Sequence, residues 1–172
     1  MAKEQKSKIA AVFGGAGFIG SHLCERLLEA GYRVVCIDNF ISSGQNNITH
    51  LLRLPNFEFI KHDITSPIDL VADPSLAKFQ INVFGIQEVY NLAVPTSIKN
   101  FEKLKLETCL ANFLGTQNTL EVAVKHNAKY LFFSSQVVYG NYEKGDYVVE
   151  DFHQGETNIS HSYHWQLLVS FL

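Results

Sequence analysis

KIAAVFGGAGFIG, residues Lys8–Gly20, decides how the rest of the chain is read. A short apolar run, Ile9 to Phe13, breaks into Gly14 and Gly15, and Gly17 and Gly20 follow at three-residue intervals. A helical pattern of apolar residues starts at once. The order is strand, tight turn, first turn of a helix. In that setting Gly14 lets the chain turn off the strand, Gly17 lets backbone approach a pyrophosphate, and Gly20 lets the helix lie close to the strand. The first helical turn, at Phe18, Ile19 and Gly20, offers N–H groups without intrahelical acceptors and the positive end of the helix dipole to the phosphates. The stretch therefore predicts dinucleotide binding. The alternative is a merely structural turn; the strand before the glycines and the helix after them favour the binding reading.

Working outward, helix one is predicted over Phe18–Ala30, with Ile19, Leu23, Leu27 and Ala30 as its apolar face and Gly31 as its C-terminal cap. RVVCI, Arg33–Ile37, is a continuous apolar run of the kind buried on both faces of a sheet. It ends on Asp38-Asn39. Asp38 stands 18 residues past Gly20, where an acidic side chain hydrogen-bonds an adenosine ribose. A carboxylate there repels a 2′-phosphate, which favours NAD over NADP. The competing role for Asp38 is a capping or turn aspartate. A weak helical pattern around Asn47–Leu54 stops at Pro55, and Phe57–Ile60 is a third short strand. Asp63-Ile64 follows it. An acid at that point either reaches an adenine amino group or closes a surface turn.

The second half repeats the alternation. A short helix is predicted near Asp73–Phe84, a fourth strand over Ile86–Leu92 and a fifth over Tyr130–Phe133. Leu92-Ala93 leave the carboxyl end of strand four, the edge at which ligands bind in open α/β sheets. A long helix over Glu102–His126 carries the stripe Leu106, Cys109, Leu110, Phe113, Leu120 and Val124. Asn112 and Gly115 interrupt it and point to close packing or a polar contact, or else to a tolerated surface pair. Strands alternating with helices predict a Rossmann-like α/β domain, a doubly wound parallel sheet in the order 3-2-1-4-5, ending after about five strands.

Composition narrows the function classes. The 172 residues suffice for one domain with a real core, so residues 1–172 are assigned to a single dinucleotide-binding domain. A net charge of −3 with no basic block gives no surface for nucleic acid or anionic membrane. No run reaches the roughly 18 apolar residues of a membrane span. Cys24, Cys36 and Cys109 are odd in number and scattered, which suits small buried side chains in a reducing cytoplasm rather than a disulfide framework. His153, His161 and His164 with Asp151 and Glu156 fit no zinc spacing, so no metal is expected. Ser134-Ser135 lacks the G-x-S-x-G elbow of a hydrolase.

Six motifs occur in order: GGAGFIGSHL at Gly14–Leu23, IDNF at Ile37–Phe40, HDI at His62–Ile64, YNLA at Tyr90–Ala93, ANFLGT at Ala111–Thr116 and FFSSQVVYG at Phe132–Gly140. On these the chain resembles the extended short-chain dehydrogenase/reductase family, the NAD-dependent epimerase/dehydratase type acting on nucleotide sugars. Leu92–Asn112 is most similar to UDP-glucuronate decarboxylases, with nucleotide-sugar epimerases and dehydratases close behind. The resemblance implies NAD held by Gly14, Gly17, Phe18, Ile19, Gly20, Asp38, Asn39, Asp63, Ile64, Leu92 and Ala93, and a UDP- or dTDP-sugar substrate. It implies chemistry in which a tyrosine phenolate takes a proton from a sugar hydroxyl while hydride passes to the nicotinamide. By position, Ser135 is the hydroxyl partner and Tyr163 the base. Gln136 falls where dehydratases and decarboxylases often carry a polar or acidic residue.

Two departures stand against that pattern. The family's tyrosine is followed four residues later by a lysine that lowers its pKa. Here the run is Tyr163-His164-Trp165-Gln166-Leu167, and no Lys or Arg follows Lys144. A phenol with a pKa near 10 is a poor base at neutral pH without that cation. The family also needs about as much chain again for its sugar-nucleotide lobe, and the expectation is that this C-terminal lobe is absent through truncation or a shifted frame near Tyr163. The 172-residue chain is then expected to be inactive, a non-catalytic NAD-binding module or a truncation remnant. Strand five becomes an open edge, and the tail VSFL, Val169–Leu172, is a candidate to pair there or to mediate homo-oligomer formation.

Overall fold

The computed structural model describes residues 8–95 and 103–134. Five parallel strands form one sheet: β1 (Ile9–Phe13), β2 (Arg33–Asp38), β3 (Phe57–Lys61), β4 (Glu88–Asn91) and β5 (Lys129–Phe132), in spatial order β3-β2-β1-β4-β5. The predicted order holds. β1 is central and buried along its whole length, and alternate residues supply two cores. Ile9, Ala11 and Phe13 face one with Val35, Ile37 and Val89, while Ala10 and Val12 face the other with Val34 and Cys36. A strand covered on both faces has no polar side to show, which is why β1 and β2 read as continuous apolar runs.

α1 (Phe18–Glu29) covers the second face through Cys24 and Leu27, and Ile48 and Leu51 from the β2–β3 connection join it there. It closes as expected: Gly31 takes φ +83 and its N–H returns to the Leu28 carbonyl. The first face is covered by the segment before β4 and by α3, residues 105–126. Sheet register then aligns the strand ends. Phe13 pairs with Ile37 and with Asn91, Asp38 with Lys61, and Asn91 with Phe132. The carboxyl ends of all five strands thus lie along one edge.

Four local expectations change. Ile19 and Ala30 are exposed rather than part of the buried face of α1: Ile19 lies in the first turn and Ala30 is the residue that caps the C-terminus. The weak pattern at 47–54 gives only a 3-10 turn, Gln45–Asn47, followed by further turns. The helix expected over Asp73–Phe84 divides into a 3-10 segment, Pro74–Phe79, and one helical turn, α2 (Ile81–Phe84), parted by Gln80 at φ +52. The largest change is in α3. Leu106, Phe113, Leu120 and Val124 are exposed, with Val124 79% accessible. Thr108, Ala111, Asn112, Gly115, Asn118, Thr119, Val122 and Ala123 are buried instead. The helix is α-helical over Lys105–Leu110, widens to a π turn at Ala111–Gly115, and resumes over Thr116–His126.

On the buried polar face of α3 each inward amide and the Thr119 hydroxyl find partners, while the Thr108 hydroxyl has none among the described residues. Asn112 Nδ2 donates to the Thr108 carbonyl at 2.9 Å, Asn118 Nδ2 to the Ile64 carbonyl at 2.7 Å, and the Thr119 hydroxyl lies 2.9 Å from that of Tyr130. Gly115 is where Ile64 presses on the helix: a Cβ there would lie 2.7 Å from Ile64 Cγ1. Asn112 and Gly115 are thus a polar contact and a close approach, the two alternatives to a surface pair.

Candidate cofactor site

The glycine loop leaves β1 at the centre of the common edge. Gly14 adopts φ +78, and a Cβ on it would sit 2.6 Å from the Leu92 carbonyl carbon and 2.8 Å from the Ala93 nitrogen. Any side chain therefore fails at Gly14 for two independent reasons, backbone conformation and contact with the β4 exit. The Gly14 and Gly15 N–H groups both donate to the Ile37 carbonyl, at 2.8 and 3.3 Å, and Gly17 N–H turns back to the Gly14 carbonyl at 3.1 Å. A Cβ on Gly20 would lie 2.8 Å from Gly15 Cα, so the third glycine seats the helix on the loop itself rather than on the strand. Ser21 is the residue whose N–H first returns to Gly17, at 2.9 Å. The preceding N–H groups, at Phe18, Ile19 and Gly20, are those a helix start leaves for an anion. Phe18 and Ile19 expose their side chains at this end, which puts their backbone rather than an apolar contact in charge of their role.

Asp38 closes the β2 side. Its carboxylate is buried and accepts three hydrogen bonds: Ala16 N–H at 3.0 Å on Oδ2, Phe40 N–H at 2.8 Å and the Ser43 hydroxyl at 2.9 Å on Oδ1. Asp38 is thus both a turn-capping aspartate and a carboxylate held at the glycine loop. Hydrogen bonds to a charged group contribute about 1.5–3 kcal/mol each, enough to hold the β2 exit against the loop. Phe40 takes φ +63 and stacks on Phe59 at 4.9 Å between ring centroids.

The next residues continue the line. Asn39 Nδ2 donates to Asp63 Oδ2 at 3.0 Å, and Asp63 Oδ1 accepts from Thr65 N–H and the Thr65 hydroxyl at 2.9 and 2.7 Å. Burial pushes the Asp63 carboxyl up, but the bonds from Thr65 and Asn39, with His62 nearby, outweigh it and its pKa falls below the ordinary value. Ile64 is buried beside α3 and hands its carbonyl to Asn118. On the other side, Asn91 holds the β4 exit: its Oδ1 accepts Ala93 N–H at 3.2 Å while Nδ2 donates to Thr119 and Tyr130. Burial raises the Tyr130 pKa, with the bonds to Thr119 and Asn91 opposing.

The predicted cofactor residues form one unbroken line along the sheet edge, from Asp63 through Asn39, Asp38 and Ala16 to Gly14, Leu92 and Ala93. Ser135 and Tyr163 lie outside the described residues. Sequence reasoning missed Ser43, Asn47 and Asn91. Asn91 sat inside the YNLA motif. Ser43 and Asn47 lie in a polar loop where no periodicity singles them out. Among the described residues there is no cluster suited to a metal ion and no helix long and apolar enough to cross a membrane.

The profile of the NAD dependent epimerase/dehydratase family matches residues 10–166. The chain belongs to this family. NAD is its cofactor, and the tight glycine loop, whose close backbone contacts at Gly14 and Gly20 admit no side chain, with Asp38 beside it and no Lys or Arg between residues 34 and 52, fits that dinucleotide. UDP-glucuronic acid decarboxylase 4 of Arabidopsis thaliana is 37% identical over 130 residues, covering 76% of this chain and 26% of that protein. UDP-glucuronic acid decarboxylase 1 of Danio rerio is 34% identical over 140 residues, covering 81% and 30%. Among solved structures, UDP-glucose-4-epimerase from Stenotrophomonas maltophila with bound NAD is 26% identical, with a TM-score of 0.68, and covers 94% of this chain and 46% of that one. An epimerase from Methanothermobacter thermautotrophicus is 29% identical, with a TM-score of 0.70, at 95% and 45% coverage. The chain therefore spans about a quarter to a third of the decarboxylases and under half of the epimerases.

Proposed function

We propose that residues 1–172 are the NAD-binding domain of a nucleotide-sugar epimerase, dehydratase or decarboxylase acting on a UDP- or dTDP-sugar. The observation that supports this most is the line from Asp63 to Ala93 along one sheet edge, with the Gly14 cradle at its centre. Bound there, NAD supplies reversible hydride transfer. The chain's own part is to grip the pyrophosphate at the α1 N-terminus and to set Asp38 against the adenosine ribose. The similarity to UDP-glucuronic acid decarboxylases favours UDP-glucuronate as the sugar nucleotide. Contacts to the sugar nucleotide would come from a further lobe outside residues 1–172. Ser135 and Tyr163 are the proposed hydroxyl partner and base. With no Lys or Arg after Lys144 to lower the Tyr163 pKa, this chain on its own binds NAD without turning over. A cytoplasmic setting suits its three free thiols.

The test is a calorimetric titration of the 172-residue chain with NAD, followed by UDP-glucuronate or UDP-glucose while absorbance is read at the NADH band. Binding without reduction is expected. Sustained turnover would refute the role given to the missing lysine, and no binding would refute the domain assignment.

The exposed face of α3 supports a second proposal, a homodimer. Two copies of α3 crossing antiparallel about Phe113 set Leu106 opposite Leu120 and Lys105 opposite Glu121. Exposed apolar residues are thereby covered and opposite charges paired. A dimer by light scattering that Leu120→Lys dissociates supports it; a monomeric wild-type chain removes it.

A further inference from the structure

Ala16, between the cradle glycines, is wholly buried, and both of its backbone polar groups are held by side chains, one from the last residue of β2 and one from the β2–β3 connection. Its N–H goes to Asp38 Oδ2 at 3.0 Å, and its carbonyl accepts from Asn47 Nδ2 at 2.8 Å. The carbonyl belongs to the Ala16–Gly17 peptide, whose N–H donates to Gly14. That peptide plane is therefore held at both ends, and it is the last plane before the helix N-terminus. Asn47 is itself well anchored. It closes the 3-10 turn Gln45–Asn47, with its N–H on the Gly44 carbonyl, and the next residue, Ile48, is buried in the same core as Ala16 and Cys24. His50 on the same connection meets Glu25 of α1, Nε2 to Oε1, at 2.6 Å, a second tie between this loop and the helix.

We propose that Asn47 is a positioning residue of the dinucleotide site: by holding the Ala16 carbonyl it fixes the Ala16–Gly17 peptide and so aims the Phe18, Ile19 and Gly20 N–H groups at the pyrophosphate. This rests on the cradle being the NAD site. The two side chains on Ala16 divide the work. Asp38 serves the cradle with Oδ2 and the β2 exit with Oδ1, which accepts Phe40 N–H and the Ser43 hydroxyl. Asn47 serves the cradle alone. Losing Asn47 therefore weakens ligands that carry a pyrophosphate and spares those that do not, whereas a residue that merely holds the fold weakens both.

The experiment compares wild type, Asn47→Ala and Asn47→Leu in the 172-residue chain, with NAD and ADP-ribose titrated by calorimetry and adenosine by chemical-shift perturbation. Asn47→Leu keeps the approximate size of the side chain and removes the donor without adding charge, so it tests the hydrogen bond if the alanine variant folds poorly. About a tenfold loss for NAD and ADP-ribose is expected in both variants, the scale of one hydrogen bond, with adenosine unchanged. Faster amide exchange at Gly17–Gly20 accompanies it. Variants that bind NAD like a binding-competent wild type overturn the proposal alone, as does an equal loss for adenosine. A wild-type chain that binds no NAD overturns the cofactor site and this proposal with it.

Discussion

α1 and α3 are both laid on the same sheet, yet the side that α3 buries, though it includes Ala111, Val122 and Ala123, is far more polar than that of α1. α1 turns Cys24 and Leu27 inward and leaves His22, Arg26 and Glu29 to solvent. α3 turns Thr108, Asn112, Asn118 and Thr119 inward and leaves Leu106, Phe113, Leu120 and Val124 outside. The inward amides of α3 and Thr119 are hydrogen-bonded to backbone or to Asn91 and Tyr130, and of these four inward side chains only the Thr108 hydroxyl is buried without a partner among the described residues. The difference teaches that an apolar stripe identifies a face that seeks cover without saying which surface covers it. α1 finds the sheet. The stripe of α3 points away from the sheet that α3 itself packs on.

The comparison breaks most sharply at two glycines, one in the loop before α1 and one within α3. Gly14→Ala places a side chain at φ +78 and against the β4 exit. Backbone strain alone costs about 1–3 kcal/mol, and the contact with Leu92 adds to it. NAD binding should be lost by calorimetry and the melting temperature should fall. An unchanged Kd would mean the loop is not the cradle. Gly115→Ala overpacks the α3–Ile64 contact and should cost about 1–3 kcal/mol in denaturant unfolding, the largest loss on that helix. A neutral result would mean the π turn has slack.

Phe113→Ser, on the outward face of the same helix, should shift monomer stability by no more than about 0.5 kcal/mol while reducing self-association in sedimentation. A strong destabilisation would put Phe113 in a core after all. The smallest effect concerns acid. Because the Asp63 pKa is lowered in the fold, its ionised form stabilises the native state. That contribution is complete well above the unfolded value of 3.8 and is lost as pH falls through the lower, folded pKa. The stability gap between wild type and Asp63→Asn should therefore close below about pH 3.8 in melts run against pH; a gap that widens there would reverse the sign.

How much was legible follows from the same contrast. The strand order and the tight glycine turn could be read because β1 and β2 are buried on both faces and because glycine spacing reports a backbone need directly. Asp38 could be placed by its distance from Gly20. α3 could not be oriented, because its inward face is held by hydrogen bonds to Ile64, Asn91 and Tyr130, partners distant in sequence that no helical period encodes. Asn47 was hidden for a related reason: its partner is a backbone carbonyl, 31 residues away. The break at Gln80 lay in a stretch where Pro74 and a left-handed residue override a weak pattern.

The central claim is that the edge from Asp63 to Ala93 binds NAD, with Asp38 at the ribose. It is tested most directly by titrating the wild-type chain and Asp38→Ala with NAD and with NADP in the calorimeter. Wild type should bind NAD well and NADP about tenfold or more weakly, the loss expected when a 2′-phosphate meets a carboxylate, and Asp38→Ala should weaken NAD and narrow that gap. Equal affinity of wild type for both dinucleotides, or an Asp38→Ala variant indistinguishable from wild type, would contradict the account.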